Sequence, residues 1–134
     1  LLVPEAARPT RGTPDAAGFD LFAAQTVHIP PGEWRGVDTG VAVAMPPGWS
    51  ARVSPRSGMA KNYGLDIHAG IIDQDYRGGI VVLVMNHGPN PYRIDQGDKV
   101  AQLVPMYTGD HEITLVNSLD VTERDNRGFG STGK

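Results

Sequence analysis

Val37-Asp38-Thr39-Gly40-Val41-Ala42-Val43-Ala44-Met45-Pro46-Pro47-Gly48 is the stretch whose reading decides the fold class. Val41, Val43 and Met45 alternate with Ala42 and Ala44, the period of two expected of a strand with one larger-residue face. The run stops at Pro46-Pro47-Gly48, a turn signal. The same grammar recurs along the chain, with short β-branched runs at Val27-His28-Ile29, Ile80 to Met85, Val100 to Val104 and Ile113 to Val116. Turn clusters separate them at Pro30-Pro31-Gly32, Gly88-Pro89-Asn90-Pro91 and Asp95-Gln96-Gly97-Asp98. No stretch keeps a 3.6-residue apolar period for three turns, and the one helix expected is short, near Ser57 to Asn62 after Pro55. The chain reads as all-β, a barrel or double-sheet jelly roll of many short strands.

A chain of 134 residues with 40% hydrophobic content is the size of one domain with a real core. No apolar run reaches membrane length, and no cationic-then-apolar signal segment opens the chain. Leu1 stands where an initiator methionine would, which leaves room for a removed leader, tag or upstream stretch. A soluble intracellular protein is the expectation, its compartment open. Without cysteine, disulfides and thiolate metal sites are excluded. A net charge of −3 argues against a nucleic-acid-coating surface, but not against a small polyanion held by a local cluster of cations. The 17 glycines and 11 prolines are spread as punctuation, with no low-complexity block and no solenoid repeat.

Four segments carry more polar and glycine residues than punctuation needs. Ala16-Ala17-Gly18-Phe19-Asp20-Leu21 reads locally as a glycine-permitted bulge with Asp20 as a turn acid. Ser54-Pro55-Arg56-Ser57-Gly58-Met59-Ala60-Lys61 sets amide donors at a helix start beside a planar cation, which suits a phosphate. It equally suits an N-cap at Ser57 with a surface arginine. Gly70-Ile71-Ile72-Asp73-Gln74-Asp75-Tyr76-Arg77-Gly78-Gly79 reads as a hairpin. An acid beside two isoleucines is placed for partial desolvation, which makes a better base, although a turn aspartate bonded to local amides explains the residue as well. Asp73-x-Asp75 lacks the later ligands of a calcium loop.

The last segment, Gly128-Phe129-Gly130-Ser131-Thr132-Gly133-Lys134, has the G-x-x-x-x-G-K spacing of a P-loop, but no hydroxyl residue and no helix follow the lysine. Phe129, flanked by glycines, has no local core and is free to stack on a flat ring. Together the segments suggest a nucleotide phosphate site with Mg²⁺ as counter-charge.

Taken in order, these segments resemble the homotrimeric dUTP pyrophosphatases (dUTPases). The likeness runs through Ala17-Gly18-Phe19-Asp20-Leu21, Pro55-Arg56-Ser57-Gly58, Gly70 to Gly78, Gly97-Asp98-Lys99-Val100-Ala101-Gln102-Leu103, Arg124 and Gly128 to Gly133. Phe19 departs from the family's usual tyrosine, Met59 from a frequent leucine, Gly79 from a common polar residue and Asp125 from the glycine that follows the tail arginine. The resemblance implies a distorted jelly-roll/β-barrel subunit with one short helix over 1–123, a flexible glycine-rich lid over 124–134, and a homotrimer with sites at subunit interfaces. It also implies hydrolysis of dUTP to dUMP and pyrophosphate, which keeps uracil out of DNA and supplies dUMP for thymidylate synthesis. Nucleic acid and membrane are not expected partners.

Carried over by residue, the resemblance makes Asp73 the base that activates water for in-line attack on the α-phosphorus. Arg56, Ser57, Gly58 and Gln102 would hold phosphate oxygens, with Mg²⁺ on the triphosphate and Asp20 reaching the metal through water. Tyr76 would lie against the deoxyribose and exclude a 2′-hydroxyl. Backbone groups of Gly70, Ile71, Ile72 and Val81 would read the uracil edge. In the lid, Phe129 would stack on the base, while Arg124, Gly130, Ser131 and Thr132 would close on the phosphates. A dCTP deaminase shares this fold and trimeric plan, but it leaves the Phe129 lid unexplained. A domain kept for binding alone would have no need of every polar site residue.

Overall fold

The computed structural model describes residues 1–126. The elements in chain order are β1 (Phe19–Phe22), β2 (Val27–Ile29), β3 (Trp34–Asp38), β4 (Trp49–Ser54), α1 (Ser57–Tyr63), β5 (Leu65–His68), β6 (Ile71–Ile72), β7 (Val81–Asn86), β8 (Tyr92–Ile94) and β9 (Lys99–Tyr107). They form a four-stranded sheet in the order β1-β9-β4-β6, a two-stranded sheet β2-β8, and a three-stranded sheet β3-β7-β5, with every pair antiparallel. One apolar core lies between the sheets. Leu21, Val53, Val100 and Leu103 enter it from the first, Ile29 and Ile94 from the second, and Val37, Leu65, Val82 and Val84 from the third. The all-β reading therefore holds. Among the described residues no helix is long and apolar enough to cross a membrane.

The run Val37 to Met45 is not one strand. The regular ladder to β7 ends at Asp38 opposite Val81; beyond it the Thr39 N–H donates to the Ile80 carbonyl at 3.2 Å and the Ile80 N–H to the Val41 carbonyl at 2.8 Å, and side-chain bonds join them. An Asp38 carboxylate oxygen accepts the Gly40 N–H at 2.8 Å, and the Thr39 hydroxyl donates to the Ile80 carbonyl at 2.8 Å. The Asp38 bond to Gly40 is local, as is the Val41 N–H bond to the Thr39 hydroxyl at 3.3 Å, and such bonds compete with a ladder and turn the chain out of it. Val41 is nevertheless buried, with Val43 and Met45 packed against the core, so the alternation marked a packed face without a paired strand. Ile113 to Val116 likewise joins no strand, and Ile113 and Leu115 are 100% and 99% exposed. A β-branched run becomes a strand only where another edge meets it, and none of the described residues does so here.

The expected helix is present, ending at Gly64 in the left-handed conformation. Its N-cap is Arg56, with no side-chain capping bond, so Ser57 is not the cap. The segment around Asp20 is also not a turn. Phe19–Phe22 is a strand flanked by β9, and Asp20 is buried. The Gly70–Gly79 segment is not a simple hairpin either, because β6 pairs with β4 while β7 pairs with β3 and β5. It is the long connection of a wide β5–β7 pair, and two residues of it are captured by the first sheet.

A single side chain ties the second and third sheets together. Asn86 is fully buried, and its Nδ2 donates to the Ile29 carbonyl at 3.0 Å and the Asn90 carbonyl at 2.9 Å. Its Oδ1 accepts the Gly88 N–H at 2.9 Å. Removing the amide strands buried backbone groups, at roughly 1–3 kcal/mol for each one left unpaired. Asn86→Ala is expected to lose about 3 kcal/mol of unfolding free energy, and Asn86→Asp more, since it sets a carboxylate against two carbonyls. Urea denaturation of the two variants beside the parent chain checks both the loss and the order.

Candidate active site

The polar half of the candidate site grows from the first sheet. Asp20 on β1 stands directly opposite Gln102 on β9, and Gln102 stands opposite Ser54 on β4. Residues directly opposite share a face, so Asp20 and Gln102 project together, two residues before Arg56 leaves the end of β4. The Asp20 carboxylate is buried between two cations. Lys99 Nζ lies 2.8 Å from one oxygen, and Arg56 Nε lies 3.5 Å from the other. Arg56 Nη1 also donates to the Lys99 carbonyl at 3.3 Å. Two cations share one carboxylate, so the triad of Asp20, Arg56 and Lys99 carries a net positive charge. Helix α1 starts at this point. Its first internal bond runs from the Ala60 N–H to the Arg56 carbonyl, so the amides of Ser57, Gly58 and Met59 precede the ladder and have no partner within it. The arrangement can receive phosphate oxygens on amides, a guanidinium and the Gln102 amide.

The apolar half is a cavity of about 300 Å³ in the β5–β7 connection. Val53, Ile72, Ile80 and Leu83 form its walls, and Gly70, Ile71, Asp73, Tyr76 and Val81 also line it. Tyr76 is held across the loop by its hydroxyl, which donates to the Gly79 carbonyl at 3.0 Å, and a Cβ at Gly78 would collide with that hydroxyl. The loop is tied back to β4 by the Val53 N–H, which donates to the Gly70 carbonyl at 2.7 Å. Asp73 and Ile71 are both exposed. The desolvation expected from the two isoleucines is therefore not supplied by this chain alone, because β6 is a two-residue edge whose outer side is open.

The structure thus gathers the expected residues into two groups. Asp20, Arg56, Ser57, Gly58 and Gln102 lie at one, and Gly70, Ile71, Ile72, Asp73, Tyr76 and Val81 line the other. Arg124 lies on the exposed segment 111–126, and Phe129, Gly130, Ser131 and Thr132 lie outside the described residues. Two features carry no local sequence signal. Lys99 lies in the Gly97 to Leu103 stretch with nothing beside it in sequence that assigns it a role, and Val53 belongs to β4, whose run Trp-Ser-Ala-Arg-Val-Ser has few β-branched residues. A second cavity of about 320 Å³ beside α1 is lined by Arg56, Lys99, Tyr63 and Tyr92. Burial raises the pKa of the Tyr92 hydroxyl, Tyr63 and Asp98 add to the rise, and Arg56 opposes it.

Gly70 is the backbone constraint on the apolar half. Its φ of +108° is closed to L side chains without strain, and a Cβ there would stand 2.6 Å from the Val53 carbonyl oxygen. Gly70→Ala is expected to open the cavity wall at a cost of about 2 kcal/mol or more. Hydrogen exchange of residues 69–80, compared between variant and parent chain, should show lost protection there and little change in β9.

The dUTPase family model matches residues 4–133. The deoxyuridine 5'-triphosphate nucleotidohydrolase of Mus musculus is 44% identical over 129 residues, covering 96% of this chain and 80% of that protein. The mitochondrial enzyme of that name from Homo sapiens is 46% identical over 129 residues, covering 96% of this chain and 51% of that protein, so the chain spans about half of that relative's length. The Monkeypox virus enzyme is 44% identical over 125 residues, covering 93% of this chain and 82% of that protein. Among solved structures, Staphylococcus bacteriophage 80alpha dUTPase with dUpNHpp matches at TM-score 0.94 and 30% identity, covering 100% of this chain and 96% of that chain. The D95N mutant of the dUTPase from phage phi11 of S. aureus, whose structure reveals the coordination of a structural Mg(II) ion, matches at TM-score 0.84 and 28% identity, covering 90% of this chain and 96% of that chain. Sequence and fold agree over nearly the full length, and the chain belongs to the dUTPase family.

Proposed function

We propose that the chain hydrolyses dUTP to dUMP and pyrophosphate with Asp73 as general base. The observation that carries this reading is the apolar cavity in the β5–β7 connection, sized for a nucleobase, with one carboxylate among its lining residues. The uracil edge would pair with backbone groups of Gly70, Ile71, Ile72 and Val81. A 5-methyl group would meet the cavity wall, and cytosine would leave buried polar groups unpaired. Tyr76, fixed by its bond to Gly79, would lie against the deoxyribose where a 2′-hydroxyl has no room. Asp73 takes a proton from water as the water oxygen attacks the α-phosphorus, and the bond to the pyrophosphate oxygen breaks in line. Phosphoryl transfer asks the protein mainly for positioning and charge, which Arg56, Ser57, Gly58 and Gln102 would supply.

The donor set suits a metal carried in on the substrate. Among the described residues no three His, Cys, Asp or Glu side chains converge to hold an ion, while Asp20 is anchored beside the phosphate donors. Mg²⁺ would be held by the triphosphate oxygens, with Asp20 reaching it through water, and when bound it neutralises phosphate charge.

Assembly as a homotrimer, with sites completed between subunits, is part of the proposal. Two features support it. The phosphate-type cluster takes no residue from the lining of the base cavity. The segment after Gly109 also exposes Ile113, Leu115, Leu119 and Val121 nearly fully, surface suited to a neighbouring copy. Residues 124–134 would then act as the lid, with Phe129 stacked on the base, Arg124, Gly130, Ser131 and Thr132 against the phosphates, and water expelled on closure.

Pyrophosphate release with Mg²⁺ should be confined to dUTP among dUTP, UTP, dCTP and dTTP. Asp73→Asn should lower kcat by roughly 10²–10⁴-fold while the affinity for dUpNHpp changes little. Ammonia released from dCTP would instead identify a deaminase. A chain ending at Glu123 should keep the parent's sedimentation coefficient, yet lose most turnover; full activity from it would remove the lid from the mechanism.

A further inference from the structure

Lys99 has no part in the mechanism above, yet the backbone is bent to place it. Along the β1–β9 ladder Leu21 opposes Ala101, but the next pair is Phe22 with Lys99, so Val100 is passed over. Val100 and Ala101 are consecutive and both fully buried, which an unbroken strand with alternating faces does not allow. Were the same residues paired without the bulge, Phe22 would oppose Val100, and Lys99 would oppose Ala23 and face the core. With it, Lys99 shares the face of Phe22 and therefore of Asp20, and its ammonium reaches the Asp20 carboxylate at 2.8 Å.

We propose that Lys99 is a positioning residue for the triphosphate, acting by occupying Asp20 so that Arg56 keeps its charge and its free donors for phosphate. A lone Asp20–Arg56 pair would be a neutral unit, and the guanidinium would turn its fork onto the carboxylate. With Lys99 on one carboxylate oxygen, Arg56 approaches Asp20 through Nε at 3.5 Å without a hydrogen bond to it, and Nη1 donates to the Lys99 carbonyl. Nη2 makes no hydrogen bond among the described residues and remains for the substrate. The Lys99 side chain is 41% exposed, so its replacement leaves the core intact.

The inference rests on the dUTPase reading, and binding of dUpNHpp tests it without chemistry. Calorimetry with Mg²⁺ chelated would compare the parent chain, Lys99→Met, Lys99→Arg, Asp20→Asn and the double variant Asp20→Asn/Lys99→Met. Lys99→Met should bind dUpNHpp roughly tenfold more weakly, and Lys99→Arg should recover most of the loss. The double variant has the net cluster charge of the parent and should bind better than Lys99→Met alone. With dUTP, Lys99→Met should raise KM more than it lowers kcat. An equal loss on replacing Lys99 in both Asp20 backgrounds would mean direct contact with phosphate and would overturn the positioning role. Unchanged affinity in Lys99→Met would do the same. A parent chain that neither bound dUpNHpp nor cleaved dUTP would sink the parent reading as well, an outcome visible before any variant is compared.

Discussion

Strand β9 is held on both edges, by β1 on one side and β4 on the other, and this two-sided ladder is the constraint on which the rest depends. Its inward residues Val100, Ala101 and Leu103 build the core, while Lys99 and Gln102 look the other way toward Asp20. The same backbone bonds that stabilise the sheet therefore fix the spacing of the phosphate-type groups. Side chains set on a doubly paired strand lose little entropy when a polyanion arrives, because their backbone is already ordered.

The base-type cavity is built differently. Its walls are mostly strand residues, but its polar groups lie on a connection tied to the rest of the fold by bonds such as the Gly70 carbonyl to β4 and the Gln74 side chain accepting the Gly48 N–H at 2.8 Å, and within itself by the Tyr76 hydroxyl to Gly79 and Arg77 to the Gln74 and Tyr76 carbonyls. Such a loop presents unpaired backbone amides and carbonyls, which a regular hairpin would spend on its own ladder. Capture of Ile71 and Ile72 by β4 is what prevents that hairpin from forming.

Much of this was legible in the sequence, for identifiable reasons. Punctuation by Pro and Gly located the turns, and β-branched runs located β2, β7 and β9, because those signals are local. The helix after Pro55 was legible for the same reason. Strands β1, β4, β5 and β8 were not, since Phe-Asp-Leu-Phe or Leu-Asp-Ile-His becomes a strand only when a neighbour offers its edge. The burial of Asp20 was hidden for a related reason. A turn acid and a sheet-bound acid look alike until the cations from residues 56 and 99 converge on it. In the opposite direction, Asp38-Thr39-Gly40 carried its turn chemistry openly, and the valine alternation around it drew the reading toward a continuous strand.

The bulge in β9 separates the length of that strand from the side to which its charges point. A lineage that lost the spare residue at 100 or 101 would straighten the ladder and still set Lys99 opposite Phe22. The same loss nearer Tyr107 would shift the pairing with Trp49 and Ser50, while Asp20 and Ser54 would still hold Gln102 on its face. Insertions and deletions are therefore filtered along this strand by where they fall, and the least constrained spot lies beside its most charged side chain.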